Sequence, residues 1–176
     1  MTIRQIDLFI CLYLVLLAVV TVLTRATPRR VAGALAGAAV DGVAMLGIIA
    51  IGESAGWWHF AIAWEPYFLT LLCIGTIPCG FIFLITWRIA RRFGGRGLAV
   101  VLFVAAVLGP VRDYGYMATF PEWGAYAPGL APMFAISAAY ISLGVLGHGV
   151  MRFVACPAVA DRLARRPWEP HQSPAV

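Results

Sequence analysis

The sequence is short of charge, and it contains no lysine at all. Only 12% of its 176 residues are charged, whereas about 25% is usual in a soluble domain. Hydrophobic residues make up 62% of the chain, and the mean hydropathy is +0.88. Because so few charges cannot cover the surface of a water-soluble domain, the composition excludes that class and predicts an integral membrane protein.

The chain also lacks the motifs of soluble-type catalysis and of metal binding. It has no GxSxG elbow, no phosphate-binding glycine loop, no HExxH and no CxxC. The four cysteines lie in or beside apolar segments, and no histidine stands at ligand spacing from them. The sequence therefore predicts no metal site, no disulfide framework and no resident cofactor.

Five apolar segments are long enough to cross the roughly 30 Å of hydrocarbon in a bilayer. They are approximately Ile6 to Thr24, Val31 to Gly52, Pro66 to Trp87, Gly97 to Val111 and Pro128 to Val154. We expect an all-α integral membrane protein, a bundle of five transmembrane helices formed by residues 1–157. Residues 158–176 are expected to add a cytoplasmic surface helix and a disordered tail.

Arginine clusters follow the first, third and fifth spans, whereas the other two loops hold Glu53 and Glu65, and then Arg112, Asp113 and Glu122. The clusters are Arg25, Arg29 and Arg30; Arg88, Arg91, Arg92 and Arg96; and Arg152, Arg162, Arg165 and Arg166. The positive-inside rule then places the N-terminus outside and the C-terminus in the cytoplasm of a bacterial inner membrane. These arginines predict contact with membrane lipids, anionic lipid on the cytoplasmic side included. The net charge of +5 thus does not imply a nucleic-acid partner.

The second span carries a ridge of small residues that includes a carboxylate and continues through Ala44, Ile48 and Gly52. Gly33, Gly37 and Asp41 follow at four-residue intervals, so they share one face of a helix. Such a ridge lets another helix approach closely, either within the bundle or on a membrane-protein partner. Asp41 then has two interpretations: a neutral acid hydrogen-bonded across the bundle, or the proton-handling group of a buried cavity.

A second polar group is predicted at the outer boundary, under a dense set of aromatic residues. Glu53, His59, Arg112 and Asp113 fall at one depth there. They are expected either to bind or protonate a lipophilic substrate, or to form a Glu53–Arg112 ion pair while Asp113 and His59 face water. The first alternative makes Glu53, Asp41 and Arg112 the candidate catalytic residues. Its candidate substrate-binding residues are Trp57, Trp58, His59, Asp113, Tyr114 and Tyr116.

His148 is the remaining candidate, because it stands inside the fifth span. A histidine there is either a ligand for a tetrapyrrole or a packing residue that is hydrogen-bonded to a neighbouring helix. The sequence offers no partner residue that decides between the two.

One stretch resembles a known family. The segment from Glu53 to Phe60, ESAGWWHF, followed by Ile77-Pro78, resembles the integral-membrane carotenoid enzymes, namely the lycopene cyclase domain and the carotenoid hydratases. The resemblance implies that Glu53, Trp57 and Pro78 are the matching positions. The cyclases follow the proline with two acidic residues, where this chain has Cys79-Gly80, so only Glu53 or Asp41 is left as the acid.

Two functions are consistent with these patterns. The first is a membrane protein that binds or acts on a lipophilic molecule, isoprenoid- or quinone-like, in an outer pocket. The alternative is a non-catalytic subunit of a larger membrane complex, with lipid or pigment as a candidate molecule held between its helices. Solute transport is disfavoured because no span carries an array of polar residues that would line a path.

Overall fold

The computed structural model describes residues 3–60, 76–156 and Leu163. Within these residues the chain is helical apart from one small antiparallel ribbon. The helices are α1 (Ile3–Thr24), α2 (Pro28–Ser54), α3 (Phe81–Thr119) and α4 (Leu130–Ala155); the strands are β1 (Trp58–Phe60) and β2 (Gly124–Tyr126); and 3-10 turns cover Ile77–Gly80 and Pro121–Trp123.

Three long apolar helices have the length and composition to cross a membrane. They are Pro28–Ser54, Ile77–Thr119 and Leu130–Ala155, and a shorter apolar helix covers Ile10–Thr24. An all-α chain with several helices of spanning length is therefore confirmed, whereas five separate spans are not shown. The first part of the predicted third span lies outside the described residues. The predicted surface helix and tail also lie outside them, except for Leu163.

Helix α3 is interrupted at Gly94, where the chain turns back on itself. Gly94 has φ 68° and ψ −154°, a conformation that side chains other than glycine's rarely permit. A Cβ at Gly97 would lie 3.0 Å from the Ile89 side chain, although residues eight apart in a straight helix are about 12 Å apart. Cys79 lies just before α3 and Arg112 lies near its end, yet the two residues are close enough to interact electrostatically. Residues 81–93 and 95–119 are thus two helical segments.

The ridge on α2 packs against α4, and the two helices run antiparallel. A Cβ at Gly33 would lie 2.8 Å from the carbonyl oxygen of Met151, and one at Gly37 would overlap the carbonyl oxygen of Gly147. The two backbones touch because neither glycine has a side chain to separate them. The chain's own last helix therefore covers the ridge, and a second protein would have to displace it to dock at Gly33 and Gly37.

Strands β1 and β2 join the two loops at one end of the bundle, which we call the cap end. Trp58 pairs with Tyr126 and Phe60 with Gly124. Trp58 is buried, and its ring occupies the space that a Cβ at Gly52 would need. Its indole nitrogen donates to the carbonyl oxygen of Ile49 at 3.1 Å. This ribbon anchors the two loops to the end of α2.

Arginines gather at the opposite end, which we call the basic end. Arg29 donates to the carbonyl oxygen of Val154, and Arg30 donates to that of Cys156 at 2.9 Å. Both guanidinium groups therefore bind carbonyl oxygens that the end of α4 leaves without an intrahelical partner. The beginning of α2 is fastened to the end of α4 in this way.

Candidate functional site

Glu53 lies in the last turn of α2, where the chain enters the cap. One of its carboxylate oxygens accepts a hydrogen bond from the backbone nitrogen of Phe60 at 3.1 Å. The same oxygen lies 3.7 Å from Nδ1 of His59. The Glu53 side chain is 18% exposed and that of His59 is 79% exposed. Strand β1 thus folds back over the helix end and places an accessible imidazole beside a sheltered acid.

These two residues line a depression at the cap end, which we call the cap depression. Its volume is about 370 Å³, and its lining residues are Glu53, Gly56, Trp58, His59, Ala125, Tyr126 and Ala127. The acid and the imidazole share this space with two aromatic side chains and the backbone of β2. Such a surface can hydrogen-bond a small polar group while aromatic rings contact its apolar remainder.

Arg112 takes a different partner from the one that the sequence predicts. Its Nη2 lies 2.8 Å from Oδ1 of Asp113, and its Nε donates to the same oxygen at 3.0 Å. No contact joins Arg112 to Glu53 among the described residues, and the Asp113 side chain is only 18% exposed. The predicted Glu53–Arg112 pair and the predicted water-facing Asp113 are therefore wrong, because the neighbouring carboxylate is nearer to the guanidinium.

Tyr140 completes this group, and the sequence interpretation missed it. Its hydroxyl lies 3.1 Å from both carboxylate oxygens of Asp113 and also contacts Arg112. The Tyr140 ring fills the space that a side chain at Gly109 would need. A tyrosine ten residues inside an apolar helix was the available signal, since a phenol in that position needs a polar partner. Arg112, Asp113 and Tyr140 will be called the latch.

The tyrosines at the cap end divide between two places. Tyr114 stacks on Tyr126 with ring centroids 4.9 Å apart, and its hydroxyl donates to the carbonyl oxygen of Ala127. Tyr116 instead stacks on Phe120 at 6.5 Å, and its ring does not line the cap depression. The ring centroids of Trp57 and Trp58 are 6.0 Å apart, but Trp57 does not line the cap depression either.

Tyr126 is the second site residue that was missed, and it separates two hollows. It lines the cap depression and also a hollow of about 270 Å³ bounded by Tyr114, Met117 and Pro121. Burial raises the pKa of the Tyr126 phenol above its ordinary value, and the nearby Asp113 charge adds to the effect. Tyr126 is therefore a neutral hydrogen-bonding group at physiological pH. Its pairing with Trp58 depends on β-strand register, which single-residue patterns do not reveal.

Asp41 lies elsewhere in the molecule. It is twelve residues before Glu53 on one helix, a distance of about 18 Å along the axis. Its Oδ2 lies 2.7 Å from the position that a Cβ of Gly147 would occupy, so the side chain faces α4. Its Oδ1 is buried, and within residues 3–60 and 76–156 it has no hydrogen-bond partner. Asp41 therefore does not join Glu53 in one constellation.

His148 is buried, with 3% of its surface exposed. Its Nδ1 lies 3.1 Å from Oγ1 of Thr86, which itself donates to the carbonyl oxygen of Phe83. This is the contact expected of a packing histidine that joins α4 to α3. In the part of the chain that the structure describes, no group of three or more His, Cys, Asp or Glu residues is placed to hold a metal ion.

In comparisons with protein-family models, with curated proteins and with solved structures, no significant match to this chain was found. The likeness to the carotenoid enzymes thus stays a prediction. The geometry of the cap depression is the basis on which a function can be argued.

Proposed function

We propose that the protein binds the polar head of a lipophilic molecule, isoprenoid- or quinone-like, in the cap depression. The observation that carries this proposal is the accessible His59 beside the sheltered Glu53 in a hollow walled by Trp58 and Tyr126. A carbonyl or hydroxyl head would bond to the imidazole, and the apolar tail would leave along the helices. Arg112 has no part in this, because Asp113 and Tyr140 engage it.

We infer that the cap faces the outside of a bacterial inner membrane and that the chain crosses that membrane five times. The arginines at the basic end support this orientation, because basic loops are retained in the cytoplasm. The reversal at Gly94 supports the division of α3 into two spans. Reporter fusions after Gly56 and after Gly95 should therefore read out on opposite sides of the membrane. Readout on one side would contradict the five-span topology.

The likeness to carotenoid enzymes makes an isoprenoid the first ligand to test. Of the three matching positions, Glu53 lines the cap depression, while Trp57 contacts a residue that does. Pro78 is buried in the 3-10 turn that precedes α3, where Cys79 and Gly80 follow it. Since that turn supplies no acid, Glu53 would carry any proton transfer, with His59 as its exchange partner.

The test is to purify the protein in mild detergent and to analyse the molecules that accompany it. An absorption spectrum and a lipid extract would detect a polyene or a quinone, and the expected result is one such molecule at a fixed ratio to protein. His59→Ala and Glu53→Gln should each lower that ratio about tenfold. Glu122→Gln is the matched control, because Glu122 is an exposed acid at the same end that does not line the depression.

Two results would overturn the proposal. In the first, the variants retain the small molecule as well as the native chain does. In the second, the protein purifies with a stoichiometric protein partner and no small molecule, which would support the subunit role instead.

A further inference from the structure

Residues 125–127 form one side of the cap depression, and we call them the wall. Ala125 and Tyr126 belong to β2, and Ala127 follows that strand. Three residue pairs join β2 to β1. Because a two-stranded ribbon alone is at best marginally stable, the ribbon by itself cannot fix the position of the wall. A contact from outside the ribbon is therefore needed to give the depression a fixed shape.

Both backbone groups of Ala127 are engaged, and they are engaged by two different parts of the chain. Its N–H donates to the carbonyl oxygen of Trp57 at 2.8 Å, which extends the ribbon by one hydrogen bond. Its carbonyl oxygen accepts a hydrogen bond from the hydroxyl of Tyr114 at 2.9 Å. Tyr114 belongs to α3, whereas Glu53, which also lines the depression, belongs to α2. The Tyr114 hydroxyl thus ties the wall to a second helix.

Tyr114 also supports the wall through its ring. The ring stacks on that of Tyr126, with the centroids 4.9 Å apart. It bounds the second hollow but does not line the cap depression. The residue before it, Asp113, is held in the latch by Arg112 and Tyr140, which fixes this turn of α3 against α4. Tyr114 therefore contacts the wall from the side of the second hollow, and from a turn that is itself anchored.

We propose that Tyr114 is a positioning residue for the cap depression, where its hydroxyl and ring hold Tyr126 and Ala127 in place for a bound head group. This inference rests on the binding function proposed above. The sequence makes Tyr114 a candidate for direct contact with the substrate. The structure gives it a different role, because it acts on the bound molecule through the wall.

The test uses Tyr114→Phe, which keeps the stacked ring and removes the hydrogen bond to Ala127. Hydrogen exchange, followed by mass spectrometry on the full chain in mild detergent, measures how firmly the wall is held. The backbone N–H groups of residues 124–127 should exchange about fivefold faster in the variant, because one hydrogen bond that holds the wall is lost. This measurement needs no ligand.

The second measurement asks whether the position of the wall matters for binding. Protein washed free of its small molecule is titrated with the organic extract of the native preparation. Tyr114→Phe should need about fivefold more extract for half-saturation. It should reach the same maximum occupancy, because the site is displaced and not destroyed. A purely structural defect would instead lower the maximum.

Tyr116→Phe is the matched control. It removes a hydroxyl from the same helix two residues further along, where the ring stacks on Phe120 and does not line the cap depression. Exchange of residues 124–127 and the half-saturation point should both match those of the native chain.

Three outcomes would overturn the inference while leaving the binding function in place. One is equal exchange of residues 124–127 in Tyr114→Phe and Tyr116→Phe. Another is faster exchange in Tyr114→Phe with an unchanged half-saturation point. The third is a lower maximum occupancy at an unchanged half-saturation point. A native extract with no polyene, quinone or other stoichiometric small molecule would overturn the binding function itself, and this inference with it.

Discussion

Asp41 and Asp113 are both carboxylates on apolar helices, yet the fold treats them differently. Asp113 faces a guanidinium and a phenol in the latch, and both of its oxygens are engaged. Asp41 faces the backbone of Gly147, and one of its oxygens is buried with no partner in the described residues. The latch carboxylate is therefore a structural group, whereas the carboxylate on the glycine ridge has hydrogen-bonding capacity that no described contact uses.

The difference also shows what holds each region together. The latch depends on charge-assisted hydrogen bonds among Arg112, Asp113 and Tyr140, which join α3 to α4. The ridge depends on shape, because Gly33 and Gly37 let α4 come into backbone contact with α2. Changes in size should thus damage the ridge most, and changes in charge should damage the latch most.

The largest effect should come from Gly37→Leu, because a side chain there would overlap the backbone of Gly147. Backbone cannot move aside as a flexible side chain can, so the loss in stability should exceed about 3 kcal/mol. Thermal unfolding in detergent measures it. Gly47→Leu on the same helix is the control, since nothing lies within 4 Å of a Cβ there. Similar losses in both variants would refute close packing of α2 on α4.

Asp113→Asn should have the next largest effect. It removes the charge that faces Arg112 and part of the hydrogen bonding to Tyr140, while the side chain keeps its size. The expected loss is about 1–2 kcal/mol, at the modest end for an ion pair because the Arg112 side chain is 63% exposed. Denaturant or thermal unfolding checks this value. A variant as stable as the native chain would show that the latch does not contribute to the fold.

The stability of the fold should depend on pH through Tyr126, which lies on the side of the cap next to Asp113. Tyr126 has a pKa above the ordinary 10.0 in the folded chain, because burial and the Asp113 charge disfavour the phenolate. The unfolded phenol loses its proton near pH 10 while the folded one keeps it, so stability falls as the pH rises above about 10. The slope from this group should be about 1 kcal/mol per pH unit.

Melting temperatures between about pH 9 and about pH 11 measure that loss. Tyr126→Phe should melt with a shallower decline over the same range, because its side chain cannot ionise. If the decline is the same in both proteins, Tyr126 is not the group responsible.

The smallest effect on stability should come from Asp41→Asn. The substitution keeps the shape of the side chain, and the buried Oδ1 has no hydrogen bond to lose within the described residues. The change should stay below about 1 kcal/mol, in contrast to the same substitution at Asp113. Side-by-side unfolding of the two variants tests the comparison. A loss at Asp41 as large as that at Asp113 would reveal a partner for this carboxylate and would remove the contrast.

Local patterns predicted the ridge and the cap correctly as regions. Gly33, Gly37 and Asp41 share a face because helical periodicity requires it, and a face of that kind accepts a neighbouring helix. Trp58 and Tyr126 belong to aromatic clusters whose position at one end follows from the apolar segments beside them. These inferences need only the chain within a few turns of each residue.

The partners within the regions were not predictable in the same way. Arg112 pairs with the adjacent Asp113 rather than with Glu53, and Tyr140, on another helix, meets the same carboxylate. Sequence distance says nothing about which of several acids at one depth a flexible guanidinium will reach. The same holds for Trp58 and Tyr126, whose pairing joins residues 68 positions apart through strand register.

By itself, the sequence determined that the chain forms long apolar helices with a basic end and an aromatic end, because hydropathy and charge act on each segment independently. Only the tertiary structure decided which polar groups meet. Side-chain contacts depend on how the helices pack, and that packing depends on the faces of all the helices together. For that reason the cap depression, with Glu53 beside His59 and Tyr126, emerges from the fold and is not visible in the chain.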